Sequence, residues 1–177
     1  MLKLILILVA VALVGFLAFV ATRPDSFRIE RSARIAATPE QLHGLINDFR
    51  QFNRWNPWRL KDPATTDLYG TSTVGVGARY GWESKELGVG SMEIVESTAG
   101  QRVLLKLDFI KPFEAHNRAE FTLQAEADGA TTVRWSMEGP ANFMSKLMNV
   151  VVGMEKMVGP DFEAGLANLK KIAEQRG

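Results

Sequence analysis

Few residues in this chain could carry proton chemistry, and their spacing limits what they could do. There are two histidines, His43 and His116, and no cysteine. Without thiols there is no disulfide, no thiolate nucleophile and no cysteine-bound zinc or iron–sulfur centre. The histidines lie far apart with no neighbouring carboxylate pattern, so neither a metal site nor a cofactor is expected. His116 begins a predicted strand, and its unperturbed pKa of about 6.5 suits acid or base work. The plainer reading is a surface or rim histidine. His43 reads as a partly exposed helix position. Asp108, Glu114 and Glu138 flank apolar strand residues, and a buried carboxylate with a raised pKa can act as a general acid. Alternation argues against this for Asp108: if Leu105, Leu107 and Phe109 face inward, Asp108 faces out. Glu114 and Glu138 read as paired or solvated. Tyr69, Tyr80 and Arg118 are the remaining polar candidates for pocket chemistry, and poor ones. Gly75-Val76-Gly77 and Gly88-Val89-Gly90 open like dinucleotide loops, but the third glycine of that motif would fall on Tyr80 or Glu93, so both are read as turns.

The larger signal is apolar. Trp58, Tyr80, Trp82, Phe109, Phe113, Trp135, Met137, Phe143, Met144 and Met148 fall on segments that would surround one interior space. An apolar pocket with few polar groups binds small molecules, and flexible methionine tolerates varied ligand shapes. The competing reading is plain core packing. Trp55 and Trp58 would close the mouth of such a pocket or brace the turn at Pro57. The methionines from Met144 to Met157 would also serve as a surface facing a membrane or a partner.

The elements that must position these side chains follow from periodicity. Of 177 residues, 46% are hydrophobic, enough for one sizeable core beside an appendage. Phe27, Ile29, Arg31, Ala33 and Ile35 alternate with Arg28, Glu30, Ser32 and Arg34, which predicts a strand. Thr38-Pro39-Glu40-Gln41 carries a capping-box pattern with proline in the first turn, and Leu42, Leu45, Ile46 and Phe49 follow at helical spacing. A second short helix is expected over Arg50 to Trp55, ended by Asn56-Pro57. Six strands are then predicted: Thr66 to Thr71, Gly77 to Lys85, Gly90 to Thr98, Arg102 to Lys111, His116 to Ala127 and Thr131 to Gly139. Asp128-Gly129 marks a hairpin. Helix returns in the methionine-rich stretch from Asn142. Gly159-Pro160-Asp161 is expected to start a last helix with the stripe Phe162, Leu166, Leu169 and Ala173, and with Lys170, Lys171 and Arg176 near its end.

Leu2 to Ala21 is different in kind. It is apolar throughout, with Lys3 its one charge, and twenty residues of helix span about 30 Å, one hydrocarbon core. A cleaved signal is the competing reading, but cleavage after Ala21 would put Phe19 where a small residue is required. The expected organisation is a transmembrane anchor over 1–22, a linker over 23–26 and a domain over 27–177. Arg23, Arg28, Arg31 and Arg34 follow the anchor, so the positive-inside rule leans toward a cytoplasmic domain. Three of those arginines belong to the predicted strand, and the side is left open. Beyond Lys3 the basic and acidic residues balance, which gives no global electrostatic reason to bind nucleic acid.

This order of elements resembles the START-like superfamily, in its polyketide cyclase/dehydrase-like branch. The similarity is carried by Asn53-Arg54-Trp55-Asn56-Pro57-Trp58, by Trp82 followed by Gly88-Val89-Gly90-Ser91-Met92 and Ile94, and by Leu107-Asp108-Phe109-Ile110-Lys111-Pro112-Phe113. Trp135-Ser136-Met137-Glu138-Gly139 and the stretch from Lys156 to Lys170 match as well. The resemblance implies an α+β helix-grip fold: a curved antiparallel sheet of about seven strands wrapped on a long C-terminal helix, here with an N-terminal transmembrane helix. It also implies a pocket for an apolar or amphipathic molecule between sheet and helix. The expected function is membrane-anchored binding or transport of a hydrophobic small molecule or lipid. The alternatives are a cyclase or dehydratase acting on a hydrophobic substrate, and a filled-core domain that works through partner contacts.

Overall fold

The computed structural model describes residues 1–175; the favourable charge expected at Arg176 lies outside them. Helix α1 (Leu2–Ala21) leads into strand β1 (Ser26–Ile35). Three short helices follow, α2 (Pro39–Ile46), α3 (Phe49–Phe52) and α4 (Pro57–Lys61). Strands β2 (Thr66–Tyr69), β3 (Arg79–Ser84), β4 (Gly88–Thr98), β5 (Arg102–Lys111), β6 (Ala115–Ala125) and β7 (Thr131–Pro140) come next, then α5 (Phe143–Val151) and α6 (Met154–Glu174). The seven strands form one antiparallel sheet in the order β1-β7-β6-β5-β4-β3-β2. Register shifts between β4 and β5 at Val89/Gly90 and Ile94/Glu96 add local twist and bend, which helps the sheet curl. Helix α6 lies across the concave face and buries Phe162, Leu166, Leu169 and Ala173 against it. This is the helix-grip architecture expected from the resemblance.

Local chemistry explains the helix starts. Thr38 Oγ1 accepts from Gln41 N at 3.3 Å while Gln41 Oε1 accepts from Thr38 N at 3.0 Å, the reciprocal box read from sequence. The short helix expected over Arg50 to Trp55 forms as α3 and already ends at Phe52, and Pro57 starts a helix instead of ending one. Asn56 Oδ1 accepts from Trp58 N at 3.2 Å and caps α4, a helix the sequence reading did not anticipate. Proline is suited to that start, because its fixed φ fits the first helical turn and its missing N–H is not needed there. The last helix also begins earlier than expected. Gly153, with φ of 88°, separates α5 from α6, and Pro160 lies inside α6. Proline there removes one backbone donor, and packing against the sheet outweighs that local loss.

Polar contacts fasten α6 to the edge strand. Arg31 on β1 pairs with Glu155 and Glu163 of α6, both at 2.8 Å. Glu174 Oε1 accepts from Ala36 N at 2.9 Å. The α3–α4 corner is held from both sides: Trp55 Nε1 donates to Leu45 O at 2.9 Å, and Asn168 Nδ2 of α6 donates to Trp55 O at 3.3 Å.

Helix α1 is exposed along nearly its whole length, with Val20 its one buried residue. Among the described residues it is the one helix long and apolar enough to cross a membrane, a test that signal sequences also pass. Its C-terminal end touches α5: Lys146 Nζ donates to Ala21 O at 3.4 Å and pairs with Asp25.

Candidate functional site

Sheet and helix do not close completely. A cavity of about 270 Å³ remains between the concave face, α4 and α6. Its walls are rings and aliphatic side chains, with Trp82, Phe109, Leu87 and Val158 on one part and Phe121, Trp135 and Phe162 on another. The rings order one another. Trp135 stacks on Phe162 with centroids 4.1 Å apart and on Phe121 at 4.9 Å, and Trp58 meets Trp135 edge-on at 5.8 Å. Trp82 stacks on Tyr80 at 6.1 Å and meets Phe109 at 5.8 Å. Offset and edge-on contacts of this kind satisfy the ring quadrupoles and hold each side chain in place.

Arg59, Tyr80 and Asn56 at the wall are engaged elsewhere, while the Trp135 Nε1–H is buried without a hydrogen-bond partner. Arg59 Nε donates to both carboxylate oxygens of Asp67, at 2.9 and 3.1 Å, and the Tyr80 hydroxyl donates to Asp67 Oδ1 at 2.9 Å. Burial pushes the Tyr80 phenol well above its ordinary range, and its hydrogen bond to Asp67 adds to the effect. The hydrogen bond from Arg59 to Asp67 raises the guanidinium in the same sense. Both groups therefore stay protonated at neutral pH. Asn56 is occupied as the cap of α4.

Of the ten residues expected around a pocket, Trp58, Tyr80, Trp82, Phe109, Trp135 and Met137 stand at this cavity. The other four do not. Phe113 sits exposed beyond the end of β5, and Phe143, Met144 and Met148 lie on α5 with exposed side chains. For the three on α5 the placement follows from the chain path: α5 is a separate helix beside α1, and the cavity is bordered by α6. Composition alone gave no way to choose between those two helices. The sequence reading also missed Phe52, Leu105, Leu107, Ala119, Phe121 and Phe162, which line the cavity as inward members of helices and strands. Their alternation was visible, but not that the space beside them is empty.

Neither histidine reaches the cavity. His43 of α2 is partly buried, with Nε2 2.9 Å from Ser97 Oγ of β4, and burial lowers its pKa. His116 is exposed on the convex face, with Nδ1 2.7 Å from Asp108 Oδ1 and Nε2 3.2 Å from Glu114 Oε1. Asp108 thus faces away from the cavity, as alternation implied, and its hydrogen bond is the main cause raising the His116 pKa. The two imidazoles should titrate on opposite sides of about 6.5. His116 stabilises the fold below the unfolded pKa, and that contribution is lost as pH rises through its higher folded value. His43 acts the other way, since acidification protonates the unfolded chain first and weakens the fold. Imidazole NMR titration of the chain and of a His43→Gln variant checks this. Two coincident curves near the free value would contradict both placements.

An antiparallel sheet gripping a long C-terminal helix around an apolar cavity defines a helix-grip protein. The chain belongs to the family described as polyketide cyclase / dehydrase and lipid transport, whose sequence profile matches residues 26–174. Solved structures with the same fold include protein MLL2253 from Mesorhizobium loti, 16% identical over 85% of this chain and 99% of that one, with a TM-score of 0.62. The Aha1 dimer from Colwellia psychrerythraea is 15% identical over 84% and 96% of the two chains, with a TM-score of 0.61. DynU16, a protein of the dynemicin biosynthetic locus, is 17% identical over 86% of this chain and 48% of its own length, with a TM-score of 0.55. At these identities the likeness is one of fold. No protein with a curated description is matched by this sequence.

Proposed function

We propose that the chain binds a compact apolar molecule in the cavity and is held at a membrane by residues 1–22, with 23–26 as the link to the domain. The apolar cavity between sheet and helix carries this reading. Its size narrows the guest. Small-molecule pockets commonly hold about 300–1,000 Å³, and an engineered apolar cavity of about 150 Å³ takes up benzene. At about 270 Å³ this cavity suits one short acyl chain or a fused bicyclic skeleton, and is too small for both chains of a phospholipid. The engaged state of Arg59, Asp67 and Tyr80 leaves the guest facing mainly ring faces and methyl groups, so shape and apolar burial would drive binding.

A cyclase or dehydratase on the same scaffold is the second reading, favoured by the family's description. It needs a proton donor or acceptor at the wall that titrates near neutrality. The titratable groups lining the cavity, Tyr80 and Arg59, are both held protonated, and this supports binding over proton transfer.

The test is native mass spectrometry of the full chain, purified in mild detergent from its own host, beside an Ala119→Leu variant. Ala119 lines the cavity from β6, and a leucine there occupies space the guest would use. An equimolar apolar adduct should be present in the parent. The variant should bind it at least about tenfold more weakly, a difference of about 1.4 kcal/mol. An identical adduct in both would move the guest away from this cavity. No adduct, and no thermal stabilisation by medium-chain fatty acids or bicyclic aromatics, would favour a partner-binding domain with an idle cavity. Chemical conversion of an added guest would favour the enzyme.

A further inference from the structure

The strand directions put particular residues at one end of the sheet. The start of β1, the β3–β4 hairpin, the β5–β6 turn and the end of β7 all lie there, because every neighbouring pair is antiparallel. The foot of α1 enters at this end, and α5 leaves from it. Apolar side chains that the fold does not cover collect in the same place. Ile110 and Phe113 flank the β5–β6 turn, with Phe113 70% exposed. On α5, Met144, Met148 and Val151 recur at i, i+4 and i+7, so they share one face, and all three are exposed. The opposite face of α5 holds Lys146, which is buried and tied to Ala21 and Asp25 at the foot of α1. Arg23 completes the junction, its guanidinium 4.1 Å above the Phe19 ring. An amphipathic helix of this kind, fixed against the base of a spanning helix, is placed to lie in the plane of the lipid surface.

We infer that α5 and the β5–β6 turn seat this end of the domain in the bilayer, with Met144, Met148, Val151, Ile110 and Phe113 among the acyl chains just below the headgroups. The inference rests on α1 crossing that bilayer. Contiguity decides the occupant: α5 packs against the foot of α1, so a bilayer that covers the exposed apolar length of α1 also meets α5. Exposed charges at this end are mixed, with Lys85, Lys111 and Lys156 against Glu86, Glu114 and Glu155, so the seating is apolar and resists salt. It also brings one wall of the cavity close to the lipid. Its Leu87, Phe109 and Val158 wall belongs to the hairpin, the end of β5 and the first turns of α6, all at the seated end.

The chain has no cysteine, so single-cysteine variants carry a fluorophore at one chosen place. The full chain, labelled at Ala12→Cys, Phe113→Cys, Met148→Cys, Val76→Cys or Gln101→Cys, is reconstituted into phosphatidylcholine–phosphatidylglycerol vesicles containing lipids with a quencher on the shallow acyl carbons. All five positions are exposed, so the label leaves the core intact. Val76 is an apolar residue at the far end of the sheet, and it separates position from hydrophobicity. The expected result is blue-shifted, quenched emission at Phe113→Cys and Met148→Cys, retained in high salt, with Val76→Cys and Gln101→Cys unquenched. If Ala12→Cys reports a bilayer interior while Met148→Cys and Phe113→Cys behave like Gln101→Cys, the seating is wrong and the anchor stands. If Ala12→Cys also reports water, both fall. Equal quenching at Val76→Cys would overturn the orientation.

Discussion

Replacing Trp135 by alanine is expected to remove about 3–5 kcal/mol of stability, the range for deleting a large buried ring. Trp135 projects from β7 and is buried. It touches four other rings: Phe162 at 4.1 Å and Phe121 at 4.9 Å on its faces, and Trp55 at 5.7 Å and Trp58 at 5.8 Å edge-on. Those partners come from α6, β6 and the α3–α4 corner, so one side chain joins the layers that enclose the cavity. For a domain of this size, each kcal/mol moves the melting temperature by about 2–4 °C, which predicts a fall of about 6–20 °C. Trp135→Phe is the control. Its ring keeps both stacks, and it removes an indole Nε1 that is buried without a hydrogen-bond partner. An unsatisfied buried donor contributes nothing favourable, so Phe should cost clearly less than alanine, its remaining cost coming from the void the smaller ring leaves. Thermal unfolding followed by circular dichroism reads both. If Trp135→Ala melted with the parent, the ring cluster would not be what fastens α6 to the sheet.

Gly90→Val should both destabilise the sheet and spoil the cavity. Gly90 faces Trp82 across the β3–β4 pair. A Cβ at position 90 would lie 2.3 Å from Trp82 Cζ2 and 2.7 Å from the backbone oxygen of Asp108. Real Cβ atoms do not approach so closely, so either the indole leaves its place or β4 separates from β5 at the neighbouring bulge. Overpacking of this kind costs about 1–3 kcal/mol. If the indole moves, the cavity loses the wall that Trp82 shares with Phe109, and guest binding falls with stability. The source of the cost shows in a double-mutant cycle with Trp82→Ala. Part of the Gly90→Val penalty should disappear in that background, and the part due to the Asp108 carbonyl should remain. Strict additivity would mean that the indole does not constrain Gly90.

Much of the fold was legible in local pattern. Alternation along Phe27 to Ile35 and along the later strands identified seven strands, and Asp128-Gly129 marked a hairpin that β6 and β7 form. The Thr38–Gln41 capping box was readable because all its atoms lie within one turn. Proline was the ambiguous letter. Pro57 begins α4 where the sequence pointed only to a helix end, and Pro160 sits inside α6, because proline's local effects permit several outcomes and packing selects among them. The apolar residues of Asn142 to Met157 were visible too, but not which surface they would serve.

Sequence by itself determined which side chains share a face of each strand or helix, since side-chain direction along an element is set by backbone geometry within a few residues. It also determined the exclusion of thiol chemistry and the presence of one segment able to span a bilayer. Tertiary structure alone decided which inward side chains fill space and which border a void. Phe49 and Phe121 are both buried aromatics, yet the cavity touches only Phe121. That difference depends on how far the bulges at Val89/Gly90 and Ile94/Glu96 bend the sheet, and on how closely Arg31 and the Trp135 stack hold α6 to it. A cavity is the space left when distant elements meet, so no short stretch of sequence encodes it.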